Sequence, residues 1–208
     1  MRLLGNLLPI WVGQERLPRY LGRVATFVLP SLTVIPGGTI NWHVPIDDAR
    51  HWKYIIQFNR QGPIDKEKAK AYRDGMAPPP QYRPLAKQGA RYLQDREAMK
   101  TFSYSGVTPR FIPVQDLCAI EGAGVVQDGS REHLPATDVP IVVARKVLMK
   151  AIRDLQEGRE PANVIRDSKR NEFPDIVATF GLIPAGMHWK DYAKQLVAEG
   201  KGWQTLQP

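Results

Sequence analysis

Between Val24 and Ile35 the chain reads VATFVLPSLTVI, a β-branched and aromatic run that Pro36-Gly37-Gly38 stops as a strand meeting a turn. Ile40 to Pro45 and Trp52 to Phe58 read as two further strands around the turn Ile46-Asp47-Asp48-Ala49. Alternation in Tyr54-Ile55-Ile56-Gln57-Phe58 is imperfect, which predicts one buried face and one half-buried face. Together these segments predict an antiparallel meander. The pattern changes at Gly62-Pro63. A charged stretch from Asp65 to Asp74 predicts a short surface helix, and Pro78-Pro79-Pro80 follows it. Residues 62–90 therefore read as an excursion over the surface, part of it mobile.

Helical spacing dominates after that. Tyr92 to Lys100 predicts a short helix, and Pro113 suits the first turn of another running to about Glu121. Past the loop from Gly122 to Pro135, Thr137 or Asp138 is placed to cap a helix with Pro140 in its first turn. Ile141, Leu148, Ala151, Ile152 and Leu155 fall on one face of it, and Gly158 ends it. Such a stripe needs an apolar partner, and the sheet of residues 24–60 is the expected one. In the tail, Trp189, Tyr192, Ala193, Leu196 and Val197 share a second stripe that Gly200 closes. The expected organisation is a main domain over 1–160 and an extension over 161–208 with one amphipathic helix.

Composition adds little to this picture, and charge adds one asymmetry. The 208 residues are 43% hydrophobic and 24% charged, enough for a real core. The net charge of +8 belongs to the first half, since residues 1–110 hold 17 basic and 8 acidic side chains against 12 and 13 in residues 111–208. A basic face attracts nucleic acid, a membrane or an acidic protein such as an electron carrier, or serves solubility alone. A single cysteine, Cys118, excludes a disulfide framework and points to a reducing compartment. No apolar run is long enough to cross a bilayer. The opening Met1-Arg2-Leu3-Leu4 resembles a leader, but Glu15 and Arg16 follow without a small-residue cleavage site. A cytoplasmic location is expected.

Two clusters carry candidate chemistry. Asp116 lies between Val114 and Leu117 on the predicted helix of residues 113–121. A carboxylate there must be paired, bind metal, or turn to solvent, and its placement near the positive N-terminal end of a helix is the plainer alternative. His43, Asp47, Asp48 and His51 form the second cluster. Two imidazoles and a carboxylate are what a non-haem iron site uses, yet aspartates at a turn are also favoured for backbone hydrogen bonding. His133 and His188 read as surface residues. Cys118 among apolar neighbours reads as a core thiol rather than a nucleophile. No Gly-rich phosphate loop or nucleophile elbow is present.

The order of segments resembles a known family. Tyr92-Leu93-Gln94-Asp95-Arg96-Glu97, Ser103-Tyr104-Ser105-Gly106-Val107, Pro113-Val114-Gln115-Asp116 and Val125-Val126-Gln127-Asp128-Gly129-Ser130-Arg131-Glu132-His133-Leu134 follow one another. Asp138 and Arg145-Lys146-Val147-Leu148 come next, and His43-Val44-Pro45-Ile46-Asp47-Asp48 precedes Trp52 upstream. Over roughly residues 24–160 this is similar to the phthalate dioxygenase and demethylase-like branch of Rieske non-haem iron oxygenases, in the catalytic portion of the alpha subunit. The resemblance implies an α+β helix-grip fold, a curved antiparallel sheet packed on a long helix. It implies an aromatic ring-hydroxylating or O-demethylating oxygenase that activates O₂ at a mononuclear Fe(II). Its partners would be a small aromatic acid and a ferredoxin or flavin reductase, in a homotrimer when complete, with no nucleic acid or membrane. By the same resemblance Asp116 matches the carboxylate iron ligand, Gln115 and Glu121 would support it, and His43 would contact substrate.

The departures are equally specific. The family's two iron-binding histidines sit close together on a helix upstream of the sheet, whereas the histidines here are at 43, 51, 133 and 188. A [2Fe–2S] Rieske cluster takes two Cys and two His, and is expected only in an N-terminal domain lacking here. One carboxylate alone does not make a three-ligand facial iron site. The expectation is a helix-grip portion incomplete at its N-terminal side, truncated, split or degenerate, that does not turn over alone. The alternatives are a non-catalytic helix-grip module binding an apolar ligand, and a basic nucleic-acid-binding protein whose aromatic residues stack on bases.

Overall fold

The structure, a computed structural model, describes residues 19–59, 62–101, 103–107, 111–135, 138–162, 164–170 and 178–200. The leader-like opening and the candidate cap Thr137 lie outside the described residues. Among the described residues six strands and four α-helices follow in the order β1 (Arg19–Val24), β2 (Thr26–Val28), β3 (Leu32–Ile35), β4 (Thr39–Asp47), β5 (Arg50–Gln57), α1 (Lys66–Met76), α2 (Ile112–Gly122), α3 (Val139–Gln156), β6 (Thr179–Pro184) and α4 (Trp189–Ala198). The fold class is α+β, of helix-grip type: β2-β3-β4-β5 form an open antiparallel sheet in sequence order, accompanied by helices. The chain divides into two compact units. One takes the described residues up to Asn59 and from His133 onward, and the other those between Arg60 and Glu132.

In the first unit the run Val24 to Ile35 makes two paired strands rather than one. Pro30, after a cis Leu29-Pro30 bond, has no N–H to offer a ladder, so the chain folds back and Phe27 pairs with Thr33. Val28 and Val34 are buried on that hairpin. Gly38 is fixed by geometry. Its φ is +73°, and a Cβ there would collide with the carbonyl oxygen of Phe58, whose N–H donates to the Gly38 carbonyl at 2.8 Å. The turn before β4 is thereby tied to the far end of β5.

The β4–β5 hairpin closes on Asp48-Ala49. Asp47 accepts from the Ala49 N–H at 3.0 Å and from the Arg50 guanidinium at 2.9 and 2.7 Å. The turn expected from Ile46 starts two residues later, at Asp48, and the register is irregular between Pro45 and Asp47. A proline that cannot donate to the ladder accounts for that irregularity.

Strand β6 escaped the periodicity because Thr179-Phe180-Gly181-Leu182-Ile183-Pro184 is short and carries an internal glycine and a terminal proline. It pairs antiparallel with β1, Gly22 opposite Gly181. Residues from 161 onward, expected as an extension, thus group with the start of the chain in one unit. Helix α4 packs on β6, with Ile183, Ala193 and Leu196 buried. His188, read as a surface residue, caps α4: its Nδ1 accepts from the Lys190 N–H at 3.2 Å.

Helix α3 begins and ends where its pattern placed it. Its stripe is less covered than expected, however: Ile141, Ile152 and Leu155 are exposed, and Leu148 and Ala151 half-buried. Its buried residue is the polar Asp154, whose carboxylate accepts from Lys150 at 2.6 Å and Arg159 at 2.9 Å. These bonds, Lys150 first, hold the Asp154 carboxyl below its ordinary range. An acidic residue four positions after a lysine left no apolar signal in the sequence.

The second unit overturns one expectation. Residues 62–90 are more than a surface excursion, since Tyr72, Met76 and Ala86 pack into the unit's core with Tyr92, Val107, Phe111 and Val114. The helix expected from the charged stretch forms as α1, capped by Asp65, which accepts from the Lys68 N–H at 2.9 Å. In place of a helix over 92–100 stand two short 3₁₀ segments, Gln88–Leu93 and Ala98–Lys100. Arg91, Tyr92 and Leu93 all take positive φ, which carries the buried Tyr92 ring into the core.

Candidate functional site

Helix α2 carries four of the residues singled out, Gln115, Asp116, Cys118 and Glu121. Its helix-starting Pro113 needs no N–H partner, and Val114 at 2% exposure anchors it to the core with Leu117 and Cys118 beside it. Cys118 is half-buried on that cluster, as a packing thiol would be. Gln115 is half-buried, and Asp116 and Glu121 are exposed. The Asp116 carboxylate acts on Tyr72: burial first and the Asp116 charge second raise the Tyr72 hydroxyl above its ordinary pKa.

Glu121 has a partner that sequence reasoning missed. The Tyr92 hydroxyl donates to its Oε2 at 2.7 Å, joining the strained segment to the end of α2 across 29 residues of sequence. That bond is the main reason the Tyr92 hydroxyl is pushed up to about 12, with burial and the Glu121 charge adding to it. Because the native value lies above the ordinary tyrosine value of 10.0, the bond stabilises the fold in full below pH 10. Its contribution fades as pH rises from about 10 to about 12. Among the seven tyrosines, one is therefore expected to ionise last in a titration at 295 nm, and Tyr92→Phe to remove that late step. A late step surviving in Tyr92→Phe would show that another tyrosine carries it.

The segments that gave the family resemblance are stitched to each other here. Gly106 has φ +65°, and any Cβ would strike the Asp95 carbonyl oxygen. The Asp95 N–H donates to the Gly106 carbonyl at 2.9 Å, and Gln94 Nε2 to the Ser105 carbonyl at 2.9 Å. The buried Ser103 accepts from the Gly106 N–H at 3.0 Å. Further on, Asp128 accepts from both the N–H and hydroxyl of Ser130, which shapes the 3₁₀ turn Gly129–Arg131.

The histidine cluster lies on the β4–β5 hairpin of the other unit. Strand alternation puts Asn41, His43, His51 and Lys53 on one face and Trp42, Val44, Trp52, Tyr54 and Ile56 on the other. His43 Nδ1 and His51 Nε2 stand 2.9 Å apart, one N–H donating to the other nitrogen. Burial, then the charges of His51 and Lys53, hold His43 below the ordinary histidine pKa. Asp47 does not join them, being turned to Arg50. The aromatic face is open, with Trp42, Trp52, Tyr54 and Ile56 exposed and the Trp42 and Tyr54 rings 6.0 Å apart.

Among the described residues no three of His, Cys, Asp and Glu come together in a way that could hold a metal ion. Asp116 would supply one carboxylate, and a facial Fe(II) centre needs two imidazoles beside it. The described residues of this chain therefore do not fit a complete iron centre. Nor is any helix among the described residues long and apolar enough to cross a membrane.

The structure thus joins an antiparallel sheet with helices to a glycine-locked motif block that leads into α2, the helix carrying Asp116 and Glu121. Residues 15–207 match the family described as LigXa C-terminal domain like, and the chain belongs to that family. It is also 28% identical over 186 residues to the phthalate 4,5-dioxygenase oxygenase subunit of Pseudomonas putida, covering 84% of this chain and 40% of that protein. The chain thus corresponds to the C-terminal catalytic portion of a Rieske oxygenase and spans less than half the length of that relative.

Proposed function

We propose that this chain works as the C-terminal catalytic part of an aromatic ring-hydroxylating or O-demethylating oxygenase, an oxidoreductase. In it Asp116 supplies the carboxylate arm of a mononuclear Fe(II) site whose two imidazoles come from outside this chain's described residues. The observation that carries the reading is the placement of Asp116 directly after Gln115 on α2, inside the matched family region and downstream of the Gly106-locked block. Glu121 supports that helix through Tyr92. His43 offers a polar contact to an aromatic acid. When bound, the iron would supply O₂ activation, and a [2Fe–2S] cluster in a partner domain would supply electrons from a ferredoxin or flavin reductase. The open Trp42, Trp52, Tyr54 and Ile56 face and the exposed Ile141, Ile152 and Leu155 of α3 give such a partner domain apolar surface to cover, as large exposed patches usually have. The complete assembly would be a homotrimer in the cytoplasm.

The test is complementation. The purified chain is expected to carry well under one iron. Co-expression with a Rieske half that brings a Cys-x-His…Cys-x-x-His block and a histidine pair is expected to restore iron and O₂-dependent turnover of an aromatic acid. Asp116→Ala in that complex should lose the mononuclear iron while keeping the [2Fe–2S] absorption. Tight stoichiometric iron in the chain alone, or an Asp116→Ala complex with full iron, would overturn the proposal.

A further inference from the structure

We infer that His43 and His51 form a two-imidazole site for a divalent ion of the zinc or copper class, clamping β4 to β5. The geometry is the argument. Two nitrogens each ~2.0–2.1 Å from one ion, at angles of about 90–110°, stand roughly 2.9–3.4 Å apart. His43 Nδ1 and His51 Nε2 are 2.9 Å apart, with ring centroids 4.8 Å apart and planes inclined by 51°. An ion ~2.0–2.1 Å from each nitrogen sits off the line that joins them, so taking the place of the shared proton requires each ring to turn until its lone pair points at the ion.

The backbone holds the pair in place. His43 faces Lys53 and Pro45 faces His51 across an antiparallel ladder, so the imidazoles are diagonal neighbours on one face. The His43 N–H also donates to the Ser31 carbonyl at 3.0 Å, which ties β4 on its other side. Pre-positioned donors lose little freedom on binding. Imidazole selects Zn, Cu or Ni over hard ions such as Mg or Ca. His43 is disposed to be neutral, as a ligand must be, although the Lys53 ammonium on the same face weakens attraction for a cation. Asp47 is engaged by Arg50, so the remaining positions go to water or an added anion. With two protein donors the site is weaker than a closed structural centre, and iron, lower in the affinity order, is held least.

This site uses no ligand of the iron centre proposed above and does not depend on it, although His43 is the residue given a contact to the aromatic acid there. The test titrates the full chain, free of any affinity tag, with Zn(II) and with Cu(II) by calorimetry, and with Mg(II) as control. One ion per chain with a micromolar dissociation constant is expected, and no response to Mg(II). His43→Gln and His51→Gln should each weaken binding roughly tenfold or more. His133→Gln should leave it unchanged. His51→Cys, which restores a zinc ligand, should recover zinc binding that His51→Gln loses, separating ligation from mere damage to the hairpin. Binding indifferent to His43 and His51 would overturn the inference. So would binding of an aromatic acid that requires His43 with no response to zinc, which would make this face a substrate contact alone.

Discussion

Phe111→Ala is expected to destabilise the unit between residues 60 and 132 by about 3–5 kcal/mol. Phe111 is 8% exposed at the mouth of α2, packed in the cluster with Ala86, Tyr92, Val107 and Val114. Its ring meets the edge of Tyr72 with centroids 5.2 Å apart, so truncation removes an aromatic pair along with the buried area. The surrounding backbone has little freedom to close the gap, because Gly106 is locked against Asp95 and Tyr92 is held by Glu121. Urea unfolding followed at the tyrosines, with hydrogen exchange over residues 112–122, checks this. A change below about 1 kcal/mol would mean that this cluster is not the unit's core. The loss would also bear on the proposed function, since it loosens the N-terminal end of the helix that carries Asp116.

Ile183→Ala is the corresponding expectation in the other unit, at about 2–5 kcal/mol. Ile183 has no exposed surface, sits on β6 opposite Tyr20 in the ladder, and lies beneath α4 in the layer that buries Ala193 and Leu196. Ile183→Val, which removes one methylene, should cost about 0.5–1.5 kcal/mol, so the two variants together separate a filled core from a permissive one. Equal effects from both would argue against tight packing at this position. Faster exchange confined to β1 and β6 amides in Ile183→Ala would localise the damage to their pairing.

Much of this protein was legible without coordinates because local signals acted alone. Helices α2, α3 and α4 begin and end close to where Pro113, Pro140, Gly158 and Gly200 punctuate an apolar period, since a missing N–H or a permissive φ acts within one turn of chain. The β3–β4–β5 meander followed from β-branched runs between turn residues for the same reason. The block order around Gln115-Asp116 also identified the family, because its glycine and polar residues answer to specific backbone contacts.

Tertiary structure alone decided the rest. The β1–β6 pair joins residues some 160 positions apart, and no local pattern specifies which distant strand supplies the partner hydrogen bonds. The strained Tyr92 segment contradicts its helical spacing because burial of one ring and its bond to Glu121 outweigh local propensity. The sequence set His43 and His51 eight positions apart, which says nothing of contact. A hairpin register brought their nitrogens to 2.9 Å while an arginine drew Asp47 away, because pairing across strands follows the ladder rather than the count along the chain.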